Sequence, residues 1–149
     1  MPHFTLQITP QGCLLNALVG VSEARKAALI ASSSVPPAAV PIRALVDTGA
    51  SGTCVDPSVL QTLALTATGK VSVNTPSTGT QPHEADQYDI SLVVPGADPT
   101  HLPLSIGNLP VICAELLLPQ GFHALIGRDV LSRCVFVYNS LVGLYTVCY

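Results

Sequence analysis

The sequence has few charged residues and no tryptophan. Only 10% of the 149 residues are Asp, Glu, Lys or Arg, and the formal net charge is −3. A strongly basic surface of the kind that binds nucleic-acid phosphates is therefore not expected. Intrinsic disorder is not expected either, because 48% of the residues are hydrophobic. With so little charge on a small domain, we expect an exposed apolar patch, and such patches commonly mark sites of self-association.

The cysteines and histidines show neither a disulfide pattern nor the spacing of a metal site. The five cysteines are Cys13, Cys54, Cys113, Cys134 and Cys148, and the four histidines are His3, His83, His101 and His123. No CxxC pair occurs, and an odd number of cysteines argues against a disulfide framework. We therefore expect reduced, buried thiols and no bound metal.

Long apolar runs are missing too. The segment from Leu14 to Val21 is too short to span a bilayer, and the charged residues Glu23, Arg25 and Lys26 follow it. The first twelve residues lack the basic start and apolar run of a secretory signal. We therefore expect a cytoplasmic protein that does not contact a membrane.

The length of the chain and the spacing of its apolar segments predict a single, mostly β domain over residues 1–149. A chain of 149 residues can bury one core but is short for two domains. Short β-type segments bounded by Gly and Pro recur along it. They are Phe4–Thr9, Leu14–Val21, Val40–Val46, Val71–Asn74, Tyr88–Val94, Val111–Leu117, Val135–Asn139 and Gly143–Val147.

One loop and two short helices interrupt these strands. Residues 22–41 are rich in Ser and Pro and are interpreted as an inserted loop with a helical turn around residues 24–30. Asp56 is predicted to cap a short helix that has Pro57 at its first position. A second helix is predicted from Arg128 to Arg133.

The first motif with chemical content is an aspartate at the end of an apolar strand, within Ala44-Leu45-Val46-Asp47-Thr48-Gly49-Ala50-Ser51. Burying a carboxylate there costs on the order of several kcal/mol unless it is paired, so its presence favours a functional role. Gly49 would let backbone N–H groups approach the carboxylate, Thr48 offers a hydroxyl to lock the loop, and Ala50 keeps the wall small. Alone, the tripeptide could equally be an ordinary β-turn with an Asx cap.

A second motif, His123-Ala124-Leu125-Ile126-Gly127-Arg128-Asp129, follows late in the chain, with Gly127 eighty residues after Asp47. An apolar pair, a glycine and a short helix fit a strand that crosses behind the Asp47 loop. Together the two motifs resemble the signature pair of retropepsin-like aspartic proteases, and the resemblance covers about residues 40–139. It implies a closed β-barrel fold with a flap hairpin.

The resemblance also implies the roles of individual residues. Asp47 would be catalytic, Thr48, Gly49, Ala50 and Ser51 would form the active-site loop, and Leu125, Ile126, Gly127 and Arg128 would form the supporting strand and helix. The flap tip would be Thr75, Pro76, Ser77, Thr78, Gly79 and Thr80. Members of this kind supply one aspartate per chain, so the expected partners are a second copy and a peptide substrate. They need no metal or organic cofactor.

The chain departs from the retroviral pattern in three places. Ser51 stands where retroviral members carry an acidic residue, which leaves the partner of Arg128 open between Asp56 and Asp129. Residues 22–41 are an insertion, and the last hairpin, residues 133–149, could build a dimer interface unlike the viral one.

Two other readings compete with proteolysis. The same dimeric fold could bind extended peptides without cutting them, or the chain could be an unrelated β-sandwich binding protein. A thiol nucleophile at Cys54 is disfavoured, because no sequence feature pairs that residue with a base.

Overall fold

Strands make up most of the regular structure in the computed structural model, which describes residues 1–74, 81–115 and 117–149. The strands are β1 (His3–Gln7), β2 (Leu14–Val21), β3 (Val40–Val46), β4 (Cys54–Val55), β5 (Gly69–Val73), β6 (His83–Val94), β7 (Leu104–Cys113), β8 (Ala124–Ile126), β9 (Val135–Asn139) and β10 (Leu144–Cys148). The helices are α1 (Glu23–Ala31), α2 (Pro57–Thr62) and α3 (Arg128–Leu131), with a 3₁₀ turn over Leu118–Gln120.

Six of the strands close into a barrel. Their order is β2-β3-β8-β4-β7-β6, and β6 pairs again with β2, while β5 lies outside the ring against β6. The β3–β8 and β4–β7 pairs are parallel and the other pairs are antiparallel. This closed barrel confirms the predicted mostly β fold and excludes the β-sandwich reading.

The barrel core is built from alternate residues of its strands, as half-buried strands require. On β6, for example, Ile90, Leu92 and Val94 point inward and are at most 3% exposed. Similar inward residues from β2, β3, β4, β7 and β8 complete the core: Val19, Ile42, Ala44, Val55, Val111 and Ile126. Fully apolar packing of this kind is what holds the strand ends, and hence the loops they carry, in fixed positions.

A second, three-stranded antiparallel sheet in the order β1-β10-β9 packs against the barrel. Its inner face contributes Phe4, Tyr145 and Val147 to the core, and the Tyr145 hydroxyl donates a 2.5 Å hydrogen bond to the Leu14 carbonyl. Because that hydroxyl is buried, this bond satisfies it and ties the second sheet to β2. Strand β9 is left at the sheet edge.

Most predicted elements are present, with changed ends. The bounds of β2, β3 and β9 are those predicted, whereas β6 starts at His83 rather than Tyr88 and β7 covers 104–113 rather than 111–117. The arms of β6 and β7 pair with each other over most of their length. The unpredicted start of β6 carries mainly exposed polar side chains, so apolar alternation does not report it. The unpredicted part of β7 does contain the buried residues Ile106 and Leu109, but Gly107, Asn108 and Pro110 interrupt its strand pattern.

The predicted loop at 22–41 contains a nine-residue helix, α1. Ser22 caps it by accepting a 3.2 Å hydrogen bond from the Arg25 backbone N–H. Val40 and Pro41 belong to β3 rather than to the loop. The Asp56 cap and Pro57 start of α2 are confirmed, whereas α3 ends at Leu131, two residues earlier than predicted. None of the described helices is long and apolar enough to cross a membrane.

Candidate active site

Asp47 lies at the point where β3 leaves the barrel. Strand β3 runs between β2 and β8, with Leu45 opposite Leu125 and Val46 opposite Ile126, and the predicted supporting strand is therefore adjacent to the Asp47 strand. The Asp47 backbone N–H donates a 3.0 Å hydrogen bond to the Ile126 carbonyl. Two neighbouring strands thus fix the backbone at Asp47, while its side chain is only half-buried.

The turn after Asp47 places one backbone N–H on the carboxylate. Gly49 N donates a 2.8 Å hydrogen bond to Asp47 Oδ1. A Cβ at position 49 would lie 3.1 Å from that same oxygen, so glycine leaves the room that this approach needs. The backbone φ of Gly49 is not in the left-handed region, and the residue is therefore required for space rather than for an unusual conformation.

Arg128 binds the backbone of the Asp47 turn. One of its guanidinium nitrogens, Nη1, donates to the Thr48 carbonyl at 2.9 Å and to the Gly49 carbonyl at 3.1 Å. Its backbone N–H donates to the Ala50 carbonyl at 2.9 Å. The expectation that Asp56 or Asp129 pairs with Arg128 is wrong, because both carboxylates are engaged elsewhere.

Asp129 holds Thr53 instead. Its two carboxylate oxygens accept hydrogen bonds from the Thr53 backbone N–H at 2.9 Å and the Thr53 hydroxyl at 2.8 Å. The Thr53 hydroxyl oxygen in turn accepts a 3.2 Å hydrogen bond from Gly127 N. Thr53 is 1% exposed, and this buried polar cluster joins the two motifs across 76 residues. Sequence reasoning missed Thr53, although a polar residue beside an apolar strand was the available signal.

Asp56 is buried at the start of α2. Its Oδ1 accepts from the backbone N–H and the hydroxyl of Ser58 at 3.0 and 2.6 Å, and its Oδ2 accepts from Leu118 N at 3.3 Å. Burial alone would raise the pKa of Asp56, but these hydrogen bonds, with the charge of His123, lower it overall. The residue serves as a structural cap.

The thiol nearest the candidate site is held in its neutral form. Burial raises the pKa of Cys54, and the charges of Asp129, Asp47 and Cys113 raise it further. A thiol in such surroundings is a poor nucleophile, because the thiolate is the reactive species.

The other predicted site residues lie as follows. Ala50 is half-buried beside the turn and Ser51 is exposed. The Thr48 hydroxyl makes no hydrogen bond to any residue that the structure describes, so within the chain the turn is held through the Thr48 carbonyl. The predicted flap tip, residues 75–80, lies outside the described residues. Its two flanking strands, β5 and β6, pair antiparallel up to Val73 opposite His83. Within the described ranges, no group of three His, Cys, Asp or Glu side chains is placed to hold a metal ion.

Comparison with known families gives this arrangement a name. The sequence model described as aspartyl protease matches residues 38–130, more than half of the chain, and this range includes Asp47, Thr53 and Arg128. The chain belongs to the aspartyl protease family. The family that the two sequence motifs predicted is thereby confirmed. No curated protein matches the chain.

The fold of this aspartyl protease family member has a solved counterpart. The crystal structure of a retropepsin-like aspartic protease from Rickettsia conorii is similar, with a TM-score of 0.61 and 18% sequence identity. The similarity covers 99% of this chain and 90% of that chain. The likeness confirms the predicted retropepsin-like fold.

Proposed function

We propose that the protein is an aspartic endopeptidase whose active site forms from the Asp47 turns of two copies. The observation that carries this proposal is the environment of the Asp47 carboxylate. One oxygen is held by Gly49 N–H, and the other accepts no hydrogen bond from the described residues, directly after the barrel strand β3. A fixed, half-exposed carboxylate of this kind is free to bind a water molecule or a second carboxylate.

One chain supplies only half of this site. The remaining aspartates are Asp56, Asp86, Asp89, Asp98 and Asp129, and none is followed by a Thr-Gly or Ser-Gly turn. Three of these, Asp56, Asp98 and Asp129, also accept hydrogen bonds within the chain. A twofold axis between two copies would bring the two Asp47 side chains together, as it does for any residue near the axis of a closed dimer.

The edge of the second sheet supports self-association. Among the described residues, strand β9 pairs only with β10, and its Val135, Val137 and Tyr138 are 49–56% exposed. The turn that follows exposes Leu141 and Val142 by 94% and 59%. No residue from 135 to 148 is charged. An uncharged apolar edge strand invites pairing with another chain, and we propose that the partner is a second copy.

The proposed mechanism follows from placing two carboxylates within hydrogen-bonding distance. Such a pair cannot ionise fully at low cost, so it shares one proton, a behaviour for which aspartic proteases are the standard example. The ionised member takes a proton from a bound water, which attacks the peptide carbonyl carbon. The protonated member donates to the developing oxyanion, and a proton then passes to the leaving amine as the C–N bond breaks. No cofactor enters these steps.

The proposed substrate is an extended peptide segment with apolar side chains on both sides of the cut bond. An extended chain can add to neighbouring strands through its backbone, while its alternate side chains enter pockets. Residues 75–80, between the arms β5 and β6, are proposed to cover the bound peptide as a flap. A cytoplasmic location stays a prediction.

The test is cleavage of a diverse peptide library by wild type, Asp47→Asn and the matched control Asp98→Asn. Asp98 is an exposed loop residue, so its substitution makes the same charge change away from the turn. We expect cleavage by wild type and the control, its loss in Asp47→Asn, and tight binding of a statine-type transition-state analogue only where the dyad is intact. Peptide binding by wild type without any cleavage would instead identify a silent binding module.

A further inference from the structure

We propose that Arg128 is a positioning residue that fixes the Asp47 turn and polarises the peptide bond that hydrogen-bonds the catalytic carboxylate. The proposal rests on the proposed function, because it assigns a role within that same site. It starts from an unusual contact: a charged guanidinium beside the turn binds backbone carbonyls and no carboxylate among the described residues.

A single residue holds three consecutive carbonyls of the turn. The Arg128 side chain binds those of Thr48 and Gly49, and the Arg128 backbone binds that of Ala50. Because Arg128 starts α3 and is separated from the barrel strand β8 by one residue, its backbone is fixed by the core. The turn is therefore anchored to a rigid element rather than to solvent.

The contact with Thr48 reaches Asp47 through one peptide unit. The Thr48 carbonyl and the Gly49 N–H belong to the same planar group, and in a trans peptide they point in opposite directions. Arg128 Nη1 binds the carbonyl at 2.9 Å, and the N–H binds Asp47 Oδ1 at 2.8 Å. Holding the carbonyl therefore sets the direction of the N–H.

The positive charge also strengthens this N–H as a donor. A charge on the carbonyl side polarises a peptide, and hydrogen bonds in series reinforce one another. Cys54 on β4 lies close enough to Asp47 and to Asp129, at the start of α3, for both charges to act on its thiol, which is neutral. The Asp129 carboxylate is turned to Thr53. Arg128 is thus the positively charged residue that polarises the Thr48–Gly49 peptide group toward the dyad.

The decisive variant is Arg128→Gln, with Arg25→Gln on the exposed face of α1 as the matched control. Glutamine removes the charge, and its amide nitrogen lies two bonds nearer the backbone than Nη1, so it cannot reach the position from which the guanidinium binds both carbonyls. We expect amide hydrogen exchange at Gly49, followed by NMR, to become about tenfold faster in Arg128→Gln, because its bond to Asp47 loses its support. We expect kcat to fall by about tenfold to hundredfold with KM changed by less than about threefold, because a charged hydrogen bond that orients the dyad is lost. Arg25→Gln should match wild type in both measurements.

Arg128→Lys separates positioning from charge. Lysine keeps the charge but lacks the planar guanidinium, so we expect exchange and kcat values between those of wild type and Arg128→Gln. If Arg128→Gln does not fold, amide exchange at Gly49 is compared between Arg128→Lys and wild type instead. Faster Gly49 exchange supports the proposal, and exchange equal to that of wild type overturns it.

Failure of this inference is distinguishable from failure of the proposed function. If Asp47→Asn still cleaves peptides, the endopeptidase proposal fails, yet Gly49 exchange still reports whether Arg128 holds the turn. If Asp47 is essential but Arg128→Gln keeps wild-type exchange and kcat, the role of Arg128 is refuted and the endopeptidase proposal stands.

Discussion

Gly127 approaches Gly52 so closely that a Cβ at position 127 would lie 2.5 Å from the Gly52 carbonyl carbon and 2.6 Å from its oxygen. The φ of Gly127 is −88°, which any residue adopts, so the glycine is required by this contact and not by its conformation. The contact brings the start of α3 against the loop that follows Asp47. It explains in physical terms why the apolar pair at 125–126 is followed by glycine.

We predict that Gly127→Ala destabilises the protein and disorders the Asp47 loop. The added methyl meets backbone atoms, which cannot move aside as a flexible side chain would, and overpacking of this kind costs about 1–3 kcal/mol. Gly69→Ala is the control, because a Cβ there would meet nothing within 4 Å. Urea unfolding of both variants measures the difference. Equal midpoints for the two variants would show that the 52–127 contact is not a constraint.

We predict that Thr53→Val is more destabilising than Thr53→Ser. Valine has nearly the shape of threonine but leaves the Asp129 carboxylate and Gly127 N without the hydroxyl, at a cost of about 1–3 kcal/mol. Serine keeps the hydroxyl and loses only a methyl group. The free energy of unfolding of the two variants decides the matter, and a valine variant as stable as wild type would refute the role of the hydroxyl.

A feature of the site could be predicted from the sequence where the residues that define it are close together in the chain. Asp47 and the strand before it were found because an apolar run ending in an acid is visible in eight residues. The hydrogen bonds between Thr53 and Asp129 were not predicted, since these residues lie 76 positions apart in the chain and meet only in the folded barrel. For the same reason neither candidate partner of Arg128, Asp56 or Asp129, was correct: sequence suggests a carboxylate for a guanidinium and does not show which backbone carbonyls will face it.

The strands follow the same rule. The ends of β2 and β3 were predictable because each is a run of mainly apolar residues that stops at a polar residue, Ser22 after β2 and Asp47 after β3. The outer part of β6, from His83, carries mainly polar side chains on both faces. Its strand conformation comes from pairing with β5 and β7, and no local pattern encodes that pairing.

Stability should fall in acid as Asp56 becomes protonated. Its folded-state pKa is lowered, so the carboxylate contributes stability above its unfolded-state pKa, and that contribution is lost as the pH falls below about 4. We predict that Asp56→Asn flattens the dependence of the unfolding free energy on pH between about pH 5 and pH 2. Denaturant titrations of wild type and variant across this range provide the measurement. A parallel pH dependence in the two proteins would contradict the assignment.

We predict that Val137→Lys weakens self-association without unfolding the chain. Val137 is 49% exposed on the edge strand β9, so lysine costs little in the isolated chain, but a charge at a paired edge opposes strand addition. Val35→Lys is the matched control, since Val35 is 90% exposed in the loop before β3. Analytical ultracentrifugation should show a dimer dissociation constant raised at least about tenfold in Val137→Lys and unchanged in Val35→Lys. The specific activity of Val137→Lys, measured in a peptide-cleavage assay, should then fall on dilution. Unchanged association of Val137→Lys would place the interface elsewhere.

The last prediction concerns the sharing of one site by two copies. The two termini of a chain lie together, with Tyr149 N donating a 3.0 Å hydrogen bond to the Pro2 carbonyl, so a flexible Gly/Ser linker can join the end of one copy to the start of the next. In such a tethered dimer, Asp47→Asn in one copy should abolish cleavage as completely as substitution in both, because a dyad with one carboxylate can no longer share its proton. The result should be the same whichever copy carries the substitution.

The measurement is turnover at a concentration where sedimentation shows only the tethered pair, so that exchange between pairs cannot rebuild an intact dyad. A tethered protein that keeps half of the wild-type activity would mean that each chain carries a complete site, and wild-type activity would remove Asp47 from the mechanism. Only complete loss fits one site made from two turns.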